Sequence, residues 1–370
     1  MLTVFAAPAR YVQGQNATAH LGSVMTEAGL TGPALIVASE RLGREMREAW
    51  QQTFGDAGIP FSVHRFGGEC SQSEIDLGIA AARTAGASTV VAVGGGKALD
   101  TGRAIGVAVG TKVVMCPTLA SNDAPCSAVS VIYTDSGEVV RVMHHPRNPE
   151  LVLVDTTIIA NSPARFLVAG MGDALATWFE ARTVVEAKKP NELGGAASMS
   201  ALALSKLCYD TLLTDGPSAL AAVEAHAVTP AVERLIEANT LLSGLGFESA
   251  GLAIAHSVHN GLTLLEPTHD FLHGEKVAFG LLVQLVVEGR PTSEIEEVVT
   301  FCRTVGLPTR LADIGLADVS DEDLARVAQR TVAPGETAHH EPFEVTPQTI
   351  SDGIRAADSW SSAIRHGVRR

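Results

Sequence analysis

Through its first part the chain alternates short apolar runs with stretches of helical spacing. PALIVAS (33–39), FSVHRF (61–66), TVVAV (89–93) and KVVMCP (112–117) are apolar runs bounded by Gly, Pro or polar residues, and each predicts a strand. RLGREMREAWQQTFGDAG (41–58) and SQSEIDLGIAAARTAG (71–86) space their apolar residues as helices do. The second opens on Ser71 and Glu74, which stand at capping-box spacing. GGGKALDTGRAIGVAVG (94–110) leads directly from a strand into another helix. This alternation predicts a parallel sheet with helices on both faces, a Rossmann-like α/β arrangement. SAVSVIYT (127–134) and EVVRVMHH (138–145) then flank Asp135-Ser136-Gly137 and predict a hairpin, and LVLVD (151–155) predicts one more strand. From Pro163 onward strand signals fade and Ala/Leu-rich helical segments follow one another. The expectation is an α/β N-terminal domain over 1–162 and an all-α C-terminal domain over 163–370, with a cleft between them as the natural place for chemistry.

Composition narrows the function. At 370 residues the chain is long enough for two domains, and 46% hydrophobic residues supply their cores. The formal net charge is −14, which disfavours nucleic acid as a partner. No run of membrane-spanning length occurs, and the N-terminal MLTVFAAPARYVQG lacks the basic start of a signal peptide, so a cytoplasmic protein without membrane association is expected. Cys70, Cys116, Cys126, Cys208 and Cys302 are dispersed and form no CxxC, so reduced packing thiols are expected.

Two places carry candidate chemistry. Gly94, Gly95 and Gly96 follow a strand and enter a helix through Lys97, so backbone amides at the helix start could meet a pyrophosphate. A plain tight turn is the alternative reading, because neither GxGxxG nor a Walker A loop is present. In the following loop, PTLASNDAPCSAVS (117–130), Thr118, Ser121 and Ser127 offer hydroxyls and Asp123 an acceptor, although such residues also populate ordinary turns. The second place joins Asp173 in GMGDALATWFEA, His256 in GLAIAHSVHNG and His273 in THDFLHGEKVAFG. One carboxylate and two imidazoles suit a divalent metal and leave a fourth position open. Asp173 reads equally as a helix cap, and His269 competes with His273. His259 shares a helix face with His256 and is read either as a proton relay or as a structural residue. His64, His144, His145, His226, His339, His340 and His366 have no comparable setting.

The stretches GGGKALDTGRAIG, PTLASNDAPCSAVSVIYTDSGE, VAGMGDALATWFEA, AHSVHNGLTLLE, HGEKVAFGLLVQL and GETAHHEPFEVTPQTISDGIRAAD keep one order along nearly the whole chain. On them the sequence resembles the iron-containing alcohol dehydrogenase family and, within it, is most similar to the glycerol dehydrogenases. The resemblance implies a dehydroquinate synthase-like/iron-containing alcohol dehydrogenase fold, with the dinucleotide on residues 1–162 and metal and substrate on 163–370. It maps metal ligands to Asp173, His256 and His273. Iron-using relatives carry a further His four residues after the Asp; Thr177 stands there, which favours zinc over iron. Mapped the same way, Gly94, Gly95, Gly96, Lys97 and Asp100 contact the dinucleotide. Thr118, Ser121, Ser127, Val129 and Tyr133 line its nicotinamide side, Asp123 is the substrate-binding acid, and Phe247 falls near the substrate pocket. The first strand ends in Ser39 where NAD-using relatives carry Asp. NAD is expected through Glu40, with NADP as the alternative, since Ser39 and Arg41 would tolerate a 2′-phosphate.

The implied activity is a zinc-dependent oxidoreductase that oxidises the secondary hydroxyl of glycerol or a similar vicinal diol, reversibly to dihydroxyacetone. A homo-oligomer is implied as well. Three alternatives remain: a dehydrogenase of another polyol or cyclitol, a sugar-phosphate cyclase of the dehydroquinate synthase kind, and a non-catalytic dinucleotide-binding protein. The cyclase would need a Lys/Arg cluster for phosphate, and only Lys276 stands close in sequence to His273.

Overall fold

The computed structural model of the chain describes residues 1–135 and 138–365. Ser136 and Gly137, in the expected hairpin turn, and His366 lie outside the described residues. The chain packs as two compact units. One comprises Ala6–Ala164 and Ala221–Gly244; the other comprises Met1–Phe5, Arg165–Leu220 and the chain from Leu245 onward.

Among the described residues the first unit carries eight strands: β1 (Tyr11–Gly14), β2 (Ala34–Ala38), β3 (Phe61–Arg65), β4 (Thr89–Gly94), β5 (Lys112–Pro117), β6 (Val129–Tyr133), β7 (Val139–His144) and β8 (Leu151–Asp155). Six form one sheet in the order β1-β8-β5-β4-β2-β3, with every neighbouring pair parallel. The inner strands are apolar throughout because both faces are covered. Ala34, Ile36 and Ala38 point into a core with Leu21, Met25, Trp50 and Phe54; Leu35 and Val37 point into the opposite core with Ile75, Ala82 and Ile105. Strand order reverses between β2 and β4, so Ser39 and Gly94 leave the sheet side by side, with Ala38 in register with Val93. Ligands of open α/β sheets bind at such a switch point, outside the carboxyl ends of the strands.

The structure departs from the sequence pattern in three places. β1 gave no signal, because it is a four-residue edge strand that is half-buried along its length. The stretch 41–58 is two helices, Glu40–Glu45 and Arg47–Asp56, broken at Met46. Only half of the expected capping box forms: Ser71 Oγ accepts from the Glu74 amide, whereas the Glu74 carboxylate turns to His64 Nε2 at 3.0 Å. The strands of the expected hairpin do pair: β6 and β7 form their own antiparallel two-stranded sheet with an irregularity at Ile132/Tyr133.

The second unit is helical. Its central pieces are Ala164–Glu186, Ile254–Leu262 and His273–Val287, the first of which begins one residue before the unit does. Glycines let them touch backbone to backbone. A Cβ on Gly274 would lie 1.8 Å from the Ala169 carbonyl oxygen, one on Gly172 would lie 2.3 Å from the Gly274 carbonyl oxygen, and one on Gly280 would lie 2.4 Å from the Ala255 carbonyl oxygen. Among the described residues no single helix is long and apolar enough to cross a membrane.

Candidate functional site

Asp173 lies ten residues into the helix Ala164–Glu186, so it is not a cap. The glycine before it serves close packing rather than a turn: the Gly172–Gly274 approach brings the start of the helix His273–Val287 against Asp173. His256 sits in the first turn of the helix Ile254–Leu262. The result is a compact triad. One ligand atom from each of Asp173, His256 and His273 lies within 4.8 Å of the other two. Asp173 Oδ1 stands 3.3 Å from His256 Nε2 and 3.1 Å from His273 Nε2. Asp173 is fully buried, while 36% of the His273 side chain is exposed, so the triad is reached past that ring.

Electrostatics fit a cation. Burial alone would raise the Asp173 carboxyl, but the imidazoles of His273 and His256 hold it far below its usual range. Burial likewise opposes charge on His256, yet the Glu180 and Asp173 carboxylates outweigh it and lift that ring well above its usual value. An incoming divalent cation would replace the positive charge that the His256 imidazole otherwise acquires. Glu180, two turns along from Asp173 and completely buried, holds His256 from behind. Its Oε2 accepts from His256 Nδ1 at 2.6 Å, and its Oε1 accepts from the backbone amides of Ala253 and His256 at 2.8 and 3.1 Å. With the N–H on Nδ1 held by Glu180, Nε2 is the nitrogen left to give its lone pair to a cation shared with Asp173.

His259 Nε2 is 3.0 Å from His273 Nδ1. Burial, with His273, Lys276 and His256 nearby, keeps His259 well below the usual histidine value, so its ring is uncharged. His269 bonds the Thr263 carbonyl oxygen at 2.9 Å and is not part of the triad. Thr177 is fully buried, and Gly246 packs so close that a Cβ there would lie 2.5 Å from Thr177 Cγ2.

In the first unit, the strand-to-helix passage is built as a cradle. Gly94 ends β4 with φ 152°, and Gly95 caps the thirteen-residue helix Gly96–Ala108. A Cβ on Gly96 would lie 2.7 Å from Asn122 Nδ2, and one on Gly95 would lie 3.2 Å from Leu119 Cδ1, so the loop 117–130 folds directly over the glycines. The Thr118 amide donates to the Gly94 carbonyl oxygen at 3.0 Å. Ser127 is buried and bonds the Ala124 carbonyl oxygen; Ser121 and Val129 are half-buried. Lys97 pairs with Glu69 at 2.5 Å and lies over the Tyr133 ring. Ser39 caps the helix Glu40–Glu45, and Glu40 pairs with Arg65 at 2.9 Å. Asp123 is buried and accepts from Ser243 Oγ at 2.8 Å.

Asp100 turns inward. Its Oδ1 accepts from Arg103 at 2.6 Å and its Oδ2 from the Val131 amide at 3.0 Å, so both oxygens hold the hairpin. Arg103, 1% exposed, also donates to the Val129 and Ala124 carbonyl oxygens. It ties the loop to the helix beneath, a role the sequence reading missed because a lone Arg in a helix resembles a solvated one.

The pattern of the iron-containing alcohol dehydrogenase family matches residues 8–156. The chain is 50% identical over 363 residues to the glycerol dehydrogenase of Thermotoga maritima, covering 97% of this chain and 98% of that one. The chain belongs to the iron-containing alcohol dehydrogenase family. This family member is also 46% identical over 365 residues to the glycolaldehyde reductase of Halobacterium salinarum, covering 99% of this chain and all of that one. It superposes on the glycerol dehydrogenase of Schizosaccharomyces pombe with a TM-score of 0.93 at 34% identity, over 100% of this chain and 94% of that one. It is therefore an alcohol or polyol dehydrogenase, a glycerol dehydrogenase-like oxidoreductase. Within that family assignment, Glu180, Asn260 and Glu336 are the polar residues near the triad that sequence reasoning passed over.

Proposed function

We propose that the chain oxidises the secondary hydroxyl of glycerol or a similar vicinal diol, with NAD as hydride acceptor and zinc as the metal, and that it also runs the reverse reduction of dihydroxyacetone. The observation that carries this reading is the convergence of one carboxylate oxygen and two imidazole nitrogens within 4.8 Å. Three protein ligands with one position left open is the donor set of a catalytic zinc, and Thr177 adds no fourth imidazole. The substrate class is supported by the full-length likeness to glycerol dehydrogenases.

Asp173, His256 and His273 would hold the metal, with Glu180 orienting His256. The amides at the start of the helix Gly96–Ala108 would receive the pyrophosphate, with Lys97 beside them. Thr118, Ser121, Ser127, Val129 and Tyr133 would line the nicotinamide side, and Ser39 the adenosine ribose. Asp100 would support that surface through Arg103 and β6. Asp123, buried and fixed by Ser243, would accept a substrate hydroxyl. When bound, the cation supplies Lewis-acid polarisation of the alcohol and the dinucleotide takes the hydride. Residues 1–162 would thus serve the dinucleotide and supply Asp123, and 163–370 would serve the metal and the rest of the substrate site. The exposed Val139, Val140 and Val142 on β7 support a homo-oligomer.

One observation favours a second reading, with NADP in place of NAD. The residue after β2 is Ser39 rather than an acid, and Arg65 stands at the end of the adjacent β3. An acid repels a 2′-phosphate, whereas arginine beside serine accommodates it.

The test is to strip the protein with a chelator, reload it with zinc or ferrous iron, and follow nicotinamide reduction with small diols and both dinucleotides. Zinc should restore glycerol oxidation, and NAD should give the higher kcat/KM. Asp173→Asn and His256→Ala should each lose more than ~100-fold in kcat/KM, about 2.7 kcal/mol. Turnover by the stripped protein or by either variant at the parent rate would overturn the proposal. A higher kcat/KM with NADP, lost in Arg65→Ala, would establish the second reading.

A further inference from the structure

The segment GETAHH (335–340) has no part in the chemistry so far, yet it is bonded along the helix that carries His256 and His259. Thr337 Oγ1 donates to the Ala253 carbonyl oxygen at 2.8 Å, the Ala338 amide donates to Ser257 Oγ at 2.8 Å, and His340 Nδ1 bonds the Leu252 carbonyl oxygen at 2.8 Å. Glu336 is the second residue of the segment. Its Oε1 accepts from Arg330, and its Oε2 accepts from Asn260 Nδ2 at 3.0 Å. Asn260 Oδ1 then faces His259 Nδ1 at 3.1 Å, and His259 Nε2 faces His273 Nδ1 at 3.0 Å. An unbroken polar chain therefore runs from Arg330 to the ring of a triad histidine.

The direction of every bond in this chain follows from its outer end. A carboxylate paired with arginine only accepts, so the Asn260 amino group must face Glu336 and the amide oxygen must face His259. That oxygen only accepts, so His259 Nδ1 carries the ring proton. A singly protonated imidazole then offers a bare Nε2. His273 must therefore donate from Nδ1, which leaves Nε2, 3.1 Å from Asp173 Oδ1, as the nitrogen that gives up its proton and offers its lone pair when a cation enters. On the other side Glu180 achieves the same for His256 in one step. An amide does not pass protons along, so the chain orients rings rather than conducting a proton away.

We propose that Glu336, acting through Asn260 and His259, is a positioning residue that fixes the tautomer of His273, and that Glu180 is its counterpart for His256, so that both rings present Nε2 to the same point. This rests on the metal reading of the triad and deepens it. On this proposal His259 acts as a positioning residue rather than as a proton relay.

The test reads metal affinity rather than turnover. Chelator-stripped full-length protein is titrated with zinc against a chromophoric chelator. Glu180→Gln should weaken zinc binding by about 10–100-fold, as loss of an outer partner of a ligand histidine does, and Glu336→Gln by about tenfold. Asn260→Asp alone places two carboxylates face to face and should also weaken binding. The double variant Asn260→Asp/Glu336→Gln reverses that bond: the new side-chain amide donates to the new carboxylate, while His259 still donates from Nδ1. Zinc affinity should return to within about threefold of the parent. Thermal melts of the stripped variants separate these effects from misfolding.

If neither Glu180→Gln nor Glu336→Gln changes affinity while His256→Ala abolishes binding, the positioning proposal is wrong and the metal site stands. Failure of the double variant to recover, in a protein that melts like the parent, also overturns it. If His256→Ala and Asp173→Asn bind zinc like the parent, the metal reading itself fails.

Discussion

Glu341 is the residue whose surroundings demand the most of it. It is 2% exposed, and neither carboxylate oxygen has a hydrogen-bond partner among the described residues. Burial, with Glu288 and Glu180 nearby, pushes its carboxyl up to about 9. It keeps its proton in the fold at a pH where the unfolded chain has lost it, so stability falls as pH rises from 4.5 toward about 9, by up to about 1.4 kcal/mol per pH unit. Glu341→Gln cannot ionise. It should melt higher than the parent near pH 8, and the gap should close as pH drops to about 4; a gap that is constant across that range would contradict this account. At this scale the sequence was legible where a residue type is rare in its setting. Asp173, His256 and His273 stood out among small and apolar neighbours. Glu180, Asn260 and Glu336 did not, because acids and amides in helices and loops are common. Their significance comes from partners that are, for Glu180 with His256 and for Asn260 with Glu336, 76 residues away in sequence.

At the scale of elements, period and punctuation located the strands well. KVVMCP and LVLVD coincide with β5 and β8, since strands buried on both faces write continuous apolar runs. Glycine was harder to read. Gly172 looks like a turn former in sequence but works as a contact surface between helices, and only the packing partner distinguishes the two. The contact is also what holds the triad together. In Gly274→Ala the new methyl would lie 1.8 Å from a backbone oxygen that cannot step aside. The helices must separate, which should cost on the order of 3 kcal/mol in thermal unfolding. Zinc affinity should drop with it, because Asp173 and His273 move apart. A variant that melts and binds like the parent would show that the contact is not what sets the ligand spacing.

For the whole molecule, alternation followed by uninterrupted helix told apart the sheet-bearing and helical parts. What it could not reveal was the return of residues 221–244 to the first unit, because that segment is as helical as its neighbours and carries no local mark of its destination. The metal should act on the molecule as a ligand of the folded state. At a free zinc concentration one hundred times its dissociation constant, linkage adds about 2.7 kcal/mol. Calorimetry should show a raised melting temperature for zinc-loaded over stripped protein, and no such rise in His256→Ala; an equal rise in that variant would mean zinc binds elsewhere.

The returning segment has a consequence for biosynthesis. Tyr11 is held by Thr240, Gln13 by Glu233, the Ala120 carbonyl by Asn239 and the Asp123 carboxylate by Ser243. A ribosome that has finished the last strand of the sheet has not yet made any of these anchors. The nascent N-terminal half must wait, unfinished, until translation has passed residue 244, and any mRNA that stops short of that codon yields a sheet whose 117–130 loop keeps Arg103 but lacks Asn239 and Ser243.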